Sequence, residues 1–273
     1  MFTFRRLTML FFIILLSLNL LIFFSRTGEN GLSDNINLWI CSHSNWFYLI
    51  LLASYFGISI ALAFLPCSNF HHPAICKGYA QDKSLAITFD DGPQPVKTPR
   101  ILEILKKRSI SATFFCIGRN LIGNEKLILQ MVNEGHLVGN HSYSHSKWFD
   151  LYSSRKIRNE LLETDRLLRE ITGKTPTFFR PPYGVINPMV SRALKGFHWN
   201  VVAWSIRSYD TIRNDPNKIT DNIIKSLKPG SILLLHDHTA FSIDHLDNLL
   251  LKIDQQGYKI VPLDLLIKKQ AYV

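Results

Sequence analysis

Two adjacent carboxylates, Asp90 and Asp91, follow the apolar run 85–89 and precede Gly92 and Pro93. The run has the pattern of a buried strand, and the Gly-Pro pair predicts that this strand ends in a turn. Because neighbouring strand residues point to opposite sides, we expect the two aspartates to have different tasks. One can bind a cation while the other accepts a proton. A purely structural turn, which also favours paired Asp before Gly, is the alternative.

Two histidines four residues apart, His141 and His145, follow the apolar run 137–139. At this spacing both imidazoles fall on one face of a helical turn, where they can share one cation. A solvated loop is the alternative for a histidine pair alone. With Asp91 as a third ligand from another strand end, the pattern predicts a His-His-Asp metal site with positions open for water.

Two further strand ends carry polar side chains. Arg180 precedes two prolines, so the first backbone N–H after it that can donate a hydrogen bond is that of Tyr183. That N–H can face developing negative charge, and the arginine can orient a carboxylate and keep it ionised. A proline-rich surface loop is the alternative. His236 ends the apolar run 233–235. Alone it predicts a structural histidine, but at the same sheet edge as the other motifs it is a catalytic candidate.

The elements that must position these residues alternate along the chain. Short β-rich runs are predicted at 85–89, 112–117, 136–140, 177–179, 199–204, 231–235 and 258–262. Helical periods separate them at 99–108, 125–134, 155–171, 217–227 and 243–256. Such alternation predicts parallel βα units, in an open doubly wound sheet or a barrel. About seven units with polar residues at the strand ends favour the barrel.

The N-terminal part is apolar enough for a membrane anchor. Residues 7–24 carry no charge, and the uncharged stretch 36–75 contains a second apolar segment at 46–66. Each segment is long enough to span a bilayer as a helix. A cleaved signal peptide and a buried helix are the alternatives, although no small-residue cleavage site follows Phe24. The predicted organisation is an anchor with two spanning helices at 1–66, a linker at 67–82 and a catalytic domain at 83–273.

The chain carries a net charge of +10. This balance suits an anionic membrane surface or polymer, and no Lys/Arg cluster with interleaved aromatic residues indicates nucleic acid. Arg5 and Arg6 before the first span, against Arg26 alone in the connector, favour a cytoplasmic N-terminus. Two spans then place the domain on the cytoplasmic side, and a single span places it outside. Cys67 and Cys76 can form a disulfide only if their loop faces an oxidising compartment.

Taken together, the motifs resemble those of the polysaccharide deacetylase family, carbohydrate esterase family 4. The runs TFDDGP at 88–93, HSYSH at 141–145, RPPY at 180–183 and LLLH at 233–236 occur in that family's order and rough spacing. The resemblance covers about residues 83–262. It implies a distorted seven-stranded (β/α) barrel and a divalent metal, usually zinc, with cobalt or manganese as alternatives. It also implies hydrolysis of N-acetyl, occasionally O-acetyl, groups on sugars.

The resemblance also implies a role for each polar residue. The residues that match its metal ligands are Asp91, His141 and His145. Those that match its catalytic groups are Asp90 as general base, Arg180 as the cation that orients this base, Tyr183 as oxyanion donor, His236 as general acid and Asp210 as the carboxylate that tunes the acid.

The family's fourth pattern, Asp-x-x-Asp-Trp, departs from the expected sequence. Arg207 stands at the position of the first Asp, Asp210 keeps the second, and Thr211 replaces the Trp that walls the acetyl pocket. The size of the acyl group and the identity of the substrate therefore stay open. Trp199 and Trp204 are alternative walls.

The predicted function is a membrane-anchored, metal-dependent hydrolase that removes N-acetyl groups from an amino-sugar polymer, oligosaccharide or lipid-linked glycan. The expected partners are the membrane and a chitooligosaccharide, peptidoglycan or lipid-linked sugar, without nucleic acid. Three alternatives remain. One is a catalytically silent sugar-binding domain, which the altered fourth pattern allows. Another is a non-haem iron oxygenase, since His-His-carboxylate sites also hold iron. The third, a membrane scaffold that uses the spans alone, leaves the strand-end motifs unexplained.

Overall fold

The chain begins with two long helices, α1 (Phe4–Thr27) and α2 (Asp34–Ala63), which pack against each other as an antiparallel hairpin. The computed structural model describes residues 3–79, 82–197 and 199–273. Hydrogen bonds between Thr8 and Tyr55 and from Tyr48 to Asn19 join the two helices. Both helices are long and apolar enough to cross a membrane, and their large apolar side chains are mostly exposed. Such a surface suits lipid better than water.

Beyond the hairpin, strands and helices alternate. The strands are β1 (Ser84–Gly92), β2 (Thr113–Cys116), β3 (Leu137–Asn140), β4 (Phe178–Phe179), β5 (Asn200–Val201), β6 (Ile206–Arg207), β7 (Ser231–His236) and β8 (Lys259–Ile260). The helices are α3 (Thr98–Lys107), α4 (Gly118–Leu121), α5 (Glu125–Asn133), α6 (Ser154–Thr172), α7 (Pro188–Leu194), α8 (Pro216–Ser226), α9 (Ala240–Asp244), α10 (Leu246–Gln255) and α11 (Leu263–Ile267). All seven predicted strand runs contain a strand, whereas β6 was not predicted.

The strands form one parallel sheet in the order β5-β4-β3-β2-β1-β7-β6, and β8 pairs with the beginning of β1. In the described part of the chain β5 and β6 do not pair with each other. The sheet is therefore a distorted seven-stranded (β/α) barrel that is open at one seam. The predicted fold class is confirmed.

In β1, strand alternation turns one set of apolar side chains to the outer helices and the alternate side chains into the barrel. In β1, Leu85, Ile87 and Phe89 belong to the core packed under the outer helices. Burying one such side chain contributes about 1.5–3 kcal/mol. The alternate residues Thr88 and Asp90 are also buried, but on the opposite face, inside the barrel. The polar groups of β1 therefore gather within the barrel at the carboxyl ends of its strands.

The segment after the hairpin lies against the barrel. Ile75 pairs with Val202 beside β5, and a disulfide joins Cys67 to Cys76. Residues 80 and 81 of the predicted linker lie outside the described residues. The described part of this segment thus makes specific contacts at the open seam.

Candidate active site

The first strand carries both aspartates to one cavity. The pairing of β1 with β2 is regular up to Asp90 and resumes at Gly92, which makes Asp91 a β-bulge residue with a φ of 74°. Asp90 Oδ2 and Asp91 Oδ1 lie 3.8 and 3.6 Å from the same atom, His141 Nε2. The expectation that the two side chains point to opposite sides is wrong, because the bulge breaks the period-two alternation.

His141 and His145 lie in the loop after β3, not on a helix. The backbone is left-handed at Ser142 (φ 63°) and at His145 (φ 45°). The Ser142 amide donates to Asn140 Oδ1 at 2.8 Å, and the His145 amide donates to Ser142 Oγ at 3.1 Å. The two rings still meet, with centroids 4.8 Å apart. The predicted helical turn is therefore wrong, and local side-chain hydrogen bonds bring the rings together instead.

One carboxylate and two imidazoles converge on a single point. The ligand atoms of Asp91, His141 and His145 all lie within 4.8 Å of one another. Asp91 Oδ1 is 3.3 Å from His145 Nε2, and it is buried without a hydrogen-bond partner among the described residues. His141 Nδ1 lies 2.7 Å from the Arg180 carbonyl, which leaves Nε2 free as a ligand. An orphaned carboxylate oxygen that faces two ring nitrogens fits a divalent cation.

The titration of these groups suits cation binding. Burial raises the pKa of Asp91, but the nearby imidazoles of His141, His145 and His236 outweigh burial and lower the pKa. Burial, helped by the charge of His141, lowers the pKa of His145 to about 4, so this ring is neutral at physiological pH. For His141, burial lowers the pKa, but the charges of Asp90 and Asp91 outweigh it and raise the pKa. A proton on His141 therefore competes with a metal at low pH.

Arg180 is completely buried at the open seam of the barrel. Its guanidinium donates to the carbonyls of Val202 and Ala203 at 3.0 and 2.8 Å. It also donates to Thr88 Oγ1 at 2.7 Å and to Asp90 Oδ1 at 2.8 Å. These bonds fix the guanidinium, which in turn fixes the Asp90 carboxylate and leaves its Oδ2 facing the cavity. The predicted pairing of this arginine with a carboxylate is present.

His236 ends β7 and faces the same cavity. Its Nδ1 lies 2.8 Å from Asp210 Oδ1, which leaves Nε2 free. Asp210 also accepts hydrogen bonds from the His236 amide and from the hydroxyls of Ser208 and Thr239, at 3.0, 2.6 and 3.0 Å. Burial lowers the pKa of His236, but the hydrogen bond and charge of Asp210 outweigh it and raise the pKa. The ring thus keeps its proton at higher pH than an ordinary histidine.

Tyr183 and Gly184 form one rim of the cavity. Tyr183 has a φ of 57°, and its N–H donates to no residue in the described ranges. Gly184 has a φ of 71°, and a Cβ at this position would collide with the indole of Trp204. Trp204 is therefore the wall of the cavity, whereas Trp199 is buried away from it in the core under α6 and α7.

Together these side chains line a cavity of about 240 Å³ at the carboxyl ends of the strands. Its polar lining includes Asp90, Asp91, His141, His145, Tyr183 and His236. The structure therefore brings all the predicted ligands and catalytic candidates to one place, with Arg180 and Asp210 directly behind it. The cavity is the candidate active site.

Sequence reasoning missed Asp237, which supports the turn below the cavity. It is completely buried, and its Oδ2 accepts a hydrogen bond from Thr98 Oγ1 at 2.6 Å. A Cβ at Gly92 would collide with this carboxylate, so a glycine is needed there. Burial, together with the charges of Asp91 and Asp90, raises the pKa of Asp237 to about 7. The signal in the sequence that could have identified Asp237 is its position directly after His236, the candidate acid.

Two more polar residues near the site were not predicted. Asp165 of α6 accepts a hydrogen bond from Asn140 Nδ2 at 2.7 Å, and burial raises its pKa to about 6. This contact anchors the end of β3, from which the histidine loop departs. His238 lines the cavity, with Nδ1 3.4 Å from Asp91 Oδ2. No sequence pattern linked Asp165 to the site, because the residue lies within an ordinary amphipathic helix.

Left-handed backbone is concentrated around the cavity. Eight non-glycine residues in the described ranges have a positive φ. Those near the site are Asp91, Ser142, His145, Tyr183 and Tyr209. Such conformations cost on the order of 1–3 kcal/mol each and persist only where the surrounding contacts over-determine them. Most of the strained non-glycine backbone in the described residues therefore lies around this site, where it helps to position the side chains.

Comparisons with known proteins agree with this geometry. The sequence pattern described as polysaccharide deacetylase matches residues 77–202. A peptidoglycan-N-acetylglucosamine deacetylase of Bacillus cereus is 34% identical over 196 residues, which cover 68% of this chain and 89% of that protein. This chain belongs to the polysaccharide deacetylase family.

Other members of the polysaccharide deacetylase family differ in length and activity. A peptidoglycan-N-acetylglucosamine deacetylase of Listeria monocytogenes is 33% identical over 206 residues, which cover 76% of this chain but only 43% of that protein. A peptidoglycan-N-acetylmuramic acid deacetylase of Bacillus subtilis is 32% identical, with 71% of this chain and 74% of that protein covered.

Solved structures show the same fold. The crystal structure of a peptidoglycan N-acetylglucosamine deacetylase matches with a TM-score of 0.68 and 30% identity, and covers 72% of this chain and 94% of that one. A pseudoenzyme of carbohydrate esterase family 4 from Bacillus anthracis matches with a TM-score of 0.66 and 31% identity, over 71% of this chain and 68% of that one. Membership of the family therefore does not by itself establish activity.

Proposed function

We propose that this polysaccharide deacetylase is a metal-dependent hydrolase that removes N-acetyl groups from an amino-sugar glycan. One observation carries the proposal: two adjacent carboxylates have different surroundings. Asp91 faces His141 and His145 with an orphaned oxygen, while Asp90 is held by Arg180 with one oxygen free. Relatives named as peptidoglycan deacetylases support an amino-sugar substrate.

Asp91, His141 and His145 are the residues that would hold the cation. Their one oxygen and two nitrogens suit zinc, and cobalt or manganese are alternatives. When bound, the metal would supply a Lewis acid for the acetamide carbonyl and lower the pKa of a water towards ~7.

The remaining groups move protons and stabilise charge. Asp90 accepts a proton from the water that attacks the acetamide carbon, and Arg180 keeps this carboxylate ionised and oriented. The Tyr183 N–H donates to the developing oxyanion, and one such donor typically contributes ~3–4 kcal/mol. His236, protonated through its contact with Asp210, gives its proton to the amine nitrogen as the C–N bond breaks. The products are acetate and a free amino sugar.

Acetate release tests the proposal. The full chain, supplied with zinc, cobalt or manganese in turn, should release acetate from N-acetylglucosamine oligomers or from peptidoglycan. Asp90→Asn should reduce this rate by about 10²–10⁴-fold while it keeps the metal. Near-full activity of Asp90→Asn would overturn the assignment of the base. Oxygen consumption with ferrous iron and no acetate release would favour an oxygenase instead.

A catalytically silent sugar-binding domain is the second candidate function. It is favoured by the changed fourth pattern, with Arg207 and Thr211, and by the structural similarity to a pseudoenzyme. A silent domain would bind N-acetylated oligosaccharides with any metal present and release no acetate from them. Measured binding without acetate release would support this candidate.

We further propose that residues 1–66 anchor a catalytic domain at 83–273 on the oxidising side of the membrane. The disulfide between Cys67 and Cys76 favours that side, because disulfides rarely persist in the cytosol. The charge count from Arg5 and Arg6 favours the cytoplasmic side, but it rests on a difference of one arginine. A reporter fused after Val273 tests the proposal, and cytoplasmic reporter activity would refute it.

A further inference from the structure

The arginine of the altered fourth pattern faces the candidate active site. Arg207 pairs with Leu234 across β6 and β7, two residues before His236. The preceding residue, Ile206, packs into the outer core, so strand alternation turns Arg207 to the cavity. Arg207 indeed lines the cavity together with Trp204. In the part of the chain that the structure describes, no carboxylate lies within salt-bridge distance of its guanidinium.

A second arginine lies next to the first. Arg207 and Arg213 both stack on the ring of Tyr209, with guanidinium carbons 5.2 and 4.9 Å from its centroid. Arg213 lines an adjoining cavity of about 350 Å³, which shares Thr211 and His238 with the candidate active site. Among the residues described, Arg213 also has no acidic partner within salt-bridge distance. Stacking on an aromatic ring holds each planar guanidinium in a fixed orientation.

Two positive charges on one ring repel each other unless an anion lies between them. Both side chains are exposed to solvent, so an incoming anion can reach them. Asp210, a carboxylate that lines the adjoining cavity, is already engaged by His236, Ser208 and Thr239. The arrangement is therefore suited to an anionic ligand.

We propose that Arg207 and Arg213 form an anion subsite beside the deacetylase centre, and that the substrate is an N-acetylated amino sugar with an anionic substituent. This inference rests on the proposed function of the cavity. Guanidinium groups bind carboxylate and phosphate alike, often through two parallel hydrogen bonds. The anion is thus either a carboxylate on the sugar or a phosphate through which the sugar is linked to a lipid. An aspartate at position 207 would repel both.

The anchor lies close to the rim of the cavity. The Ile186 amide, two residues after Gly184, donates to the carbonyl of Ala63 at the end of α2 at 2.9 Å. Cys67, just beyond α2, has its Sγ 3.4 Å from the carbonyl of Trp204. A sugar phosphate linked to a membrane lipid is therefore within reach of the subsite. The test must accordingly include a lipid-linked probe.

The test uses the metal-loaded full chain and compares three probes as its substrates. They are neutral tetra-N-acetylchitotetraose, a peptidoglycan tetrasaccharide with the carboxylate of N-acetylmuramic acid, and N-acetylglucosamine diphosphate on a short lipid. Arg207→Gln and Arg213→Gln should each lower the ratio of kcat/KM for an anionic probe to that for the neutral probe about tenfold, mainly through KM. Arg207→Lys should restore part of the ratio. Arg192→Gln, an exposed arginine of α7, is the matched control and should leave the ratio unchanged.

The results with the three probes distinguish the possible anions. A loss confined to the tetrasaccharide assigns the subsite to a carboxylate, and a loss confined to the lipid probe assigns it to a phosphate. Equal ratios in the wild type and both Gln variants overturn the subsite while leaving deacetylation intact. If no probe is hydrolysed, the proposed function fails, and calorimetric binding of N-acetylglucosamine 1-phosphate tests the subsite separately. Tighter binding by the wild type than by Arg207→Gln supports the subsite, and equal or absent binding overturns it.

Discussion

Replacing Asp210 by Asn should weaken the candidate acid, His236, most strongly at alkaline pH. The change keeps the size of the side chain but removes the charge that raises the pKa of His236. The contact to be lost is the 2.8 Å hydrogen bond between Asp210 Oδ1 and His236 Nδ1. Both side chains are largely buried, so solvent screens the interaction little.

A hydrogen bond to a charged group contributes about 1.5–3 kcal/mol, which corresponds to about 10–100-fold in rate. In the variant, His236 should lose its proton at lower pH, because only the weaker effects of Asp90 and Asp91 then oppose burial. The alkaline limb of the kcat profile should therefore move to lower pH. The rate should fall about 10–100-fold above that limb, and the difference should narrow in acid, where both proteins carry the proton. Acetate release measured from pH 5 to pH 10 checks this shift.

The same pair affects stability with a defined sign. The pKa of His236 is raised, so its contribution is complete below the ordinary histidine pKa and is lost as the pH rises through the raised value. The pKa of Asp210 is lowered, since the partner imidazole outweighs burial, so its contribution is lost as the pH falls through the lowered value. The difference in Tm between the wild type and Asp210→Asn should therefore be largest between these limits. Asp254→Asn, on the exposed surface of α10, is the control.

A uniform loss of kcat with an unmoved alkaline limb would refute the reasoning. In that case Asp210 would only hold β7 in place through its contacts with Ser208 and Thr239. An unchanged kcat at every pH would show that His236 does not act as the acid.

Three further changes test other parts of the site. His141→Ala should lose both metal and activity, because it removes one of three ligands; metal content by mass spectrometry checks this, and full metal retention would contradict it. Arg180→Met should destabilise the protein by about 3–5 kcal/mol, or ~10 °C in Tm, because it leaves the Asp90 carboxylate buried and unpaired; an unchanged melting curve would contradict the buried pair. Gly184→Ala should lower kcat/KM, since a Cβ collides with Trp204 and the φ of 71° suits glycine; wild-type kinetics would show that this wall does not shape the cavity.

The fold was predictable because its signals are local and repeated. Each β-rich run from 85–89 to 258–262 contains a strand, since short runs of apolar and β-branched residues between turn signals are typical of strands in an alternating chain. The short strand Ile206–Arg207 escaped prediction, because Ser205 and Arg207 on either side of Ile206 leave no apolar run. The single predicted helix at 243–256 is divided into α9 and α10, with His245 between them.

The residues of the site were predictable, but their geometry was not. Residue type and strand-end position were enough to select Asp90, Asp91, His141, Arg180 and His236. The backbone that orients them is left-handed or bulged at several positions. Arguments from sequence periodicity assume a regular backbone there, so they could not predict these directions. Propensity describes the average conformation of a segment, whereas these conformations are imposed by contacts with other elements.

The sequence by itself determined which chemical groups are present, their order, and the alternation of strands and helices that carries them to one edge of a sheet. Only the tertiary structure decided that Asp91 turns beside Asp90 and that Asp165 and Asp237 support the loops from behind. It also decided that Arg207 and Arg213 share one ring, with no acidic partner among the described residues. The physical reason is the range, along the chain, of the interactions involved. Alternation and turn formation depend on neighbours along the chain, but the direction of a side chain at a bulge and the charge around a guanidinium depend on residues that only folding brings close.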